Sequence, residues 1–374
     1  MGIWDWQDER IKKAIRNLFK HNLCVTKEDK VLILSDSYKE RIGELFFFVG
    51  TSHTSSITHL SYSPTGRHGF EPPEEVWRAT FGSEFVEELK QKNLLEKVLK
   101  KEITESEEEE VKEILLETTE PPNLPTVIVA VNRFSISHTL YRKLCTGFLS
   151  MRFASMPLFE PFMFYTSMQA NWNKVAERSK LLSNLLTEAR EVHVTCPLGT
   201  DIRFSVEGRE GLADTGKLCT PSSFGNLPAG EAFIAPVEGS AEGIFVTKFA
   251  PDRELKEPVR LTVKEGKVEE ISGEVEFSEF LRGIFRLEEN ANNVAEFGIG
   301  TNEKAKHYTN ILEAEKILGT CHIAVGDNSA FGGKVKANVH IDLLIDKPTI
   351  KLKLKDREIT LMEEGKLTVL TESE

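Results

Sequence analysis

Residues 336–343 read Lys-Ala-Asn-Val-His-Ile-Asp-Leu, with polar side chains at the even positions and apolar ones at the odd. On a strand this alternation sets His340 and Asp342 side by side on one face, with the apolar residues packed behind. An imidazole and a carboxylate on one rigid strand make half of a metal site. The same pattern also describes an edge strand with a wet face, and H-x-D is too short to choose between the two. His322 lies in the small, apolar stretch 320–326. A histidine there is either a ligand or an interior residue satisfied by hydrogen bonds. Glu231 and Glu296 are single carboxylates inside apolar, glycine-bearing segments, 227–236 and 294–300. A buried carboxylate needs a cation, a proton or donors close by, and a metal or a structural ion pair meets that need equally well.

The elements that must position these groups divide the chain in two. In the first half, helical spacing at Ile11, Ile15, Leu18 and Phe19 precedes a short apolar run at 30–35, a helix over 41–49, a strand near 56–62 and an apolar strand at 126–131. Alternation of this kind predicts an open α/β layer fold. Residues 85–119 read as mostly helical, the acidic run 107–110 as a solvated helix face, and 171–190 as a long helix. Beyond it the pattern becomes short strands and turns, with helical character only at 277–288 and near 305–316. The expected organisation is an N-terminal α/β domain, residues 1–188, and a strand-rich α+β metal-binding domain, residues 189–374. No G-x-G-x-x-G follows a strand, so a dinucleotide site is not expected. Residues 326–335 resemble a phosphate loop, but the glycine spacing is wrong and Val335 follows Lys334 where Ser or Thr should stand. Ser137 and His138, adjacent on an extended segment, point to opposite faces and make no dyad.

Composition excludes several classes. The 374 residues are 28% charged with a net charge of −12, which disfavours binding to nucleic acid or to an anionic membrane surface. No stretch approaches the roughly 18 apolar residues of a transmembrane helix. The first ten residues carry early acids and no apolar core, so a signal peptide is not expected, and Gln7 spoils a myristoylation pattern. Five scattered cysteines without a C-x-x-C fit neither a disulfide framework nor a zinc knuckle. The expectation is a soluble, reduced, cytoplasmic protein.

Several segments, taken in order, resemble the thermophilic metallo-aminopeptidases, aminopeptidases T and S. They are Ser135–His138 with Arg152–Pro157, then 227–236, 295–300, 310–315, 322–326 and 340–342, and they cover most of the chain from about residue 130. The resemblance implies a dinuclear site holding two divalent ions (Zn, Co, Mn or Mg), bound by Glu231, Glu296, Glu315, His322, His340 and Asp342, with Glu296 as bridge. It further implies hydrolysis of small peptides from the N-terminus and a homodimer. Typical members carry a Tyr seven residues after the His that matches His322, as an oxyanion donor; here Ser329 stands there with a shorter hydroxyl. The alternative is a single-iron, ring-cleaving enzyme similar to 2,5-dihydroxypyridine dioxygenase, using His322, His340 and Asp342 as a two-His, one-carboxylate face. Another metal-dependent enzyme on this scaffold, or a non-catalytic binding protein with a vestigial site, completes the set.

Overall fold

The computed structural model describes residues 7–369, so most of the N-terminal stretch read as lacking a signal peptide lies outside the described residues. The chain forms two compact units. The first takes the residues up to Gln169 together with Gly216–Pro228; the second takes Ala170–Thr215 together with the chain from Ala229 onward.

The first unit carries a five-stranded, all-parallel sheet in the order Ile57–Tyr62, Val31–Asp36, Val127–Val131, Arg152–Ser155, Phe224–Asn226. The apolar runs read as strands are buried along their whole length, as parallel strands covered on both faces must be. The helical stretch 85–119 resolves into Ser83–Gln91, Leu95–Lys100 and Glu105–Thr118. A capping box between Thr104 and Glu107 starts the last of these. A disulfide joins Cys24 to Cys219, 195 residues apart, and fastens the returning segment 216–228 to this unit. This corrects the expectation of five reduced cysteines: a pairing at that separation leaves no spacing signature. Among the described residues no helix is long and apolar enough to cross a membrane.

The second unit pairs an eight-stranded antiparallel sheet with a five-stranded one. The smaller sheet runs His340–Asp346, Thr320–Gly326, Val294–Gly300, Glu231–Ile234, Leu212–Asp214, all antiparallel. Its alternate residues, among them Ile234, Phe297, Ile299, Ile323, Leu343 and Ile345, pack in one core with Phe204, Phe245 and Leu261 of the larger sheet. The helix Trp172–Glu188 packs on the strands 231–234 and 212–214. Its buried stripe of Val175, Leu182 and Leu186 therefore belongs to the strand-rich unit, and the division falls at Ala170 instead of near 188. The turn or two of helix expected near 305–316 is the single turn Ile311–Ala314.

Candidate metal centre

Because one face of the small sheet is committed to the core, the opposite face collects every second residue of each strand. The register places Glu231 opposite Gly300, Gly298 opposite His322, and Ala324 opposite Asp342. Four strands thus deliver Glu231, Glu296, His322, His340 and Asp342 to one patch. Glu231, Glu296 and His322 offer donor atoms within 4.8 Å of one another, and so do Glu296, His340 and Asp342.

Glu296 links the two groups. Its Oε1 lies 3.3 Å from His322 Nε2 and its Oε2 lies 3.4 Å from His340 Nε2. Asp342 Oδ1 lies 3.4 Å from His340 Nε2, and Glu231 Oε2 lies 3.6 Å from His322 Nε2. The backbone carbonyl of Asp327 faces His340 Nδ1 at 2.8 Å. A carbonyl only accepts, so Nδ1 carries the hydrogen and Nε2 turns its lone pair toward the carboxylates in the neutral ring. That orientation is the one a metal ligand adopts.

The glycines of the 294–300 strand make the patch possible. A Cβ on Gly298 would lie 2.1 Å from His322 Nε2, so the imidazole occupies the space a side chain would fill. A Cβ on Gly300 would lie 2.1 Å from the carbonyl oxygen of Ile317. The backbone after the turn at Ile311–Ala314 therefore lies directly on the strand, held there by Asn302 N–H donating to the Lys316 carbonyl.

Electrostatics show a cluster that wants positive charge. Burial alone would press the His322 imidazolium down, but its hydrogen bond to Glu296 and the charges of Asp342 and Glu231 hold it up at about 9. The same competition raises His340 well above the ordinary range, through Asp342 and Glu296. Burial pushes Glu296 and Asp342 up, and the two imidazoles more than reverse it, leaving both lowered. Glu231 Oε2 is buried without a hydrogen-bond partner. Two imidazole Nε2 atoms, two or three carboxylates and an orphaned buried oxygen on one rigid face fit a divalent cation.

The remaining expected site residues, Glu315 and Ser329, stand outside the two donor groups. Glu315 is buried, but its Oε1 engages the Lys316 ammonium at 2.7 Å. Burial raises the Glu315 carboxyl to about 8, with Asp342 and Glu231 adding to the rise and Lys316 opposing it. The Ser329 hydroxyl donates to the Asp327 carboxylate and gives the cluster no oxyanion donor. The Tyr308 hydroxyl donates to Asp346 at 3.4 Å and its ring stacks on Phe249. In the loop after Gly326, Glu238 accepts the Lys334 N–H, so that amide pairs with a carboxylate and not with a phosphate. Sequence reasoning missed Lys316, Gly298, Gly300 and Phe331. Phe331 meets the His340 ring edge-on at 5.8 Å and Phe233 at 5.7 Å, forming an aromatic wall at the rim. The glycines were detectable, since 296, 298 and 300 share one face of any strand drawn there.

The fold is of mixed α/β class, and one sheet face carries a cluster that could hold a metal ion. Residues 159–369, more than half of the chain, match the model of the 2,5-dihydroxypyridine 5,6-dioxygenase (NicX) family, and the chain belongs to that family. It is 25% identical over 175 residues to the 2,5-dihydroxypyridine 5,6-dioxygenase of Pseudomonas putida KT2440. That alignment spans 42% of this chain and half the length of the curated relative. The structure of the P. putida enzyme matches with a TM-score of 0.68 at 17% identity, covering 96% of this chain and 97% of that one. Wild-type AmpT from Thermus thermophilus matches at 0.65 and 15%, covering 96% and 99%. The likeness to AmpT supports the aminopeptidase-like scaffold, which the two enzymes share. The family and its curated member overturn the aminopeptidase reading, and with it the hydrolase, protease and zinc-enzyme assignments and the peptide substrates. A cluster with the donors for a metal ion stands; the count of two ions is unsupported.

Proposed function

We propose that the chain is a metal-dependent, ring-cleaving dioxygenase acting on a hydroxylated nitrogen heterocycle of the 2,5-dihydroxypyridine type. The observation that carries this reading is the convergence of His322 Nε2, His340 Nε2 and Asp342 Oδ1 on one sheet face, the two-His, one-carboxylate set that suits non-haem iron(II). Those three residues would hold the ion, with Glu296, which faces the same two Nε2 atoms, as a further carboxylate donor beside it. Iron there supplies the one-electron chemistry that lets a closed-shell ring react with dioxygen. Phe331 and Phe233 line the rim with π faces and edges that favour a planar ring over a flexible chain. Glu231 Oε2, buried and without a hydrogen-bond partner, would accept the proton of a ring hydroxyl as the substrate enters.

Protein loaded anaerobically with iron(II) and mixed with 2,5-dihydroxypyridine and dioxygen should consume one dioxygen per ring and lose the ring's ultraviolet absorbance. Both atoms of labelled dioxygen should appear in the product. Phe331→Ala should raise KM about tenfold with iron content unchanged. Iron-loaded, folded protein that consumes no dioxygen with this or related dihydroxypyridines would refute the reading.

A further inference from the structure

Beside the donor cluster lies a buried cation that the proposed reaction does not use. Lys316 is completely buried, and its Nζ lies 2.6 Å from Glu231 Oε1, 2.7 Å from Glu315 Oε1 and 3.7 Å from Asp214 Oδ2. The position is built by the backbone. Gly300 pairs with Glu231, the absence of a side chain there admits the main chain of Ile317, and residue 316 is delivered directly over Glu231. Glu231 is divided between two environments. Its Oε1 holds the ammonium, while Oε2 faces His322 without a hydrogen-bond partner.

We infer that the Lys316 ammonium occupies the place of a second metal ion and limits this centre to one. With His322 on the first ion, a second beside it would be left Glu231 Oε2 and Glu296, and the further oxygens at hand, Glu231 Oε1 and Glu315 Oε1, are held by Lys316. It would also share the Glu231 carboxylate with a fixed positive charge. The ammonium cannot swing aside, because no part of its side chain reaches solvent. Lys316 is thus a positioning residue that sets the number of ions and fixes which Glu231 oxygen faces the reacting centre. Glu315 serves Lys316 and is not a metal ligand. The inference rests on the proposed metal centre, but it concerns ion count and not the reaction.

The test uses the full chain stripped of metal and titrated with manganese(II) without dioxygen or substrate, followed by equilibrium dialysis and electron paramagnetic resonance. Wild type should bind one ion per chain with the spectrum of an isolated ion. Lys316→Gln should bind two at millimolar manganese(II), with a spin-coupled signal. Glu315→Gln covers the case in which Lys316→Gln does not fold; it should still bind one ion, with affinity within about threefold of wild type. Two ions in wild type would overturn the inference, as would a single ion in folded Lys316→Gln at saturation or a tenfold loss of affinity in Glu315→Gln. A chain that binds one ion and cleaves no ring would refute the dioxygenase reading and leave this inference standing.

Discussion

The substitution Gly298→Ala isolates the positioning of His322. The added methyl would begin 2.1 Å from Nε2 and 2.2 Å from Cε1. Ordinary contact starts near 3.4 Å, so the imidazole must retreat by about 1.3 Å (3.4 minus 2.1). A metal–imidazole bond tolerates about 0.2 Å of departure, so the displaced ring ceases to be a ligand. The backbone at 298 is ordinary strand with negative φ, and alanine itself is no burden there. The expected loss of metal affinity is about a hundredfold or more, close to 3 kcal/mol. The assay is chelator competition on stripped protein, run as a double-mutant cycle with His322→Ala. If the methyl acts through the imidazole, Gly298→Ala adds little once His322 is gone. Affinity within threefold of wild type, or full additivity in the cycle, would refute the reasoning.

Two further outcomes follow from the charges and the disulfide. In the metal-free chain His322 is held up at about 9 against an ordinary 6.5. A group with a raised folded pKa stabilises fully below its unfolded value and stops doing so as pH climbs through the folded one. Denaturant midpoints in chelator should therefore fall between about pH 6.5 and 9, by on the order of 3 kcal/mol. Saturating metal should flatten this slope and His322→Ala should lessen it, the remainder coming from His340 and Glu315, which are also raised; equal slopes in all three would be the contrary result. The Cys24–Cys219 bridge closes a span of 195 residues, and reductant should lower stability by roughly 2–4 kcal/mol. Cys24→Ser should be as unstable as reduced wild type and unmoved by reductant. Intact mass without reductant checks the bridge directly.

What the sequence made legible was whatever depends on period. Alternation in 336–343 put His340 and Asp342 on one face, and the uninterrupted apolar runs 31–36 and 127–131 marked covered parallel strands; the structure has both. What stayed hidden depends on register and on long-range return of the chain. Lys316 becomes a partner of Glu231 only because Gly300 pairs with Glu231 across two strands, 69 residues apart in sequence. The segment 216–228 leaves one unit for the other, and its Gly, Ser and Pro residues mark a loop without saying which unit it joins. The helix 172–188 was recognised, but its amphipathic stripe does not say which sheet it covers. The chemistry was misjudged for a related reason. Imidazoles and carboxylates in this order serve hydrolysis or oxygenation alike, and residue types do not report how many cations share them.

The division between those chemistries is set by groups that alternation does not supply. In a two-metal hydrolase the paired ions share and acidify a water, and one of them polarises the scissile carbonyl. An ammonium in the second position can do neither, because it offers donors and no open coordination site. Ser329, turned onto Asp327, supplies no oxyanion donor in compensation. The same ammonium leaves the first position intact, since it touches Glu231 through Oε1 and otherwise pairs with Glu315 and Asp214. A face limited to one ion, with two imidazoles and an aromatic rim, would be poorly equipped for amide hydrolysis and well equipped for a redox ion beside a flat ring. The turn that carries Lys316 onto Gly300 is therefore where this chain parts from the two-ion arrangement that its ligand types alone would allow.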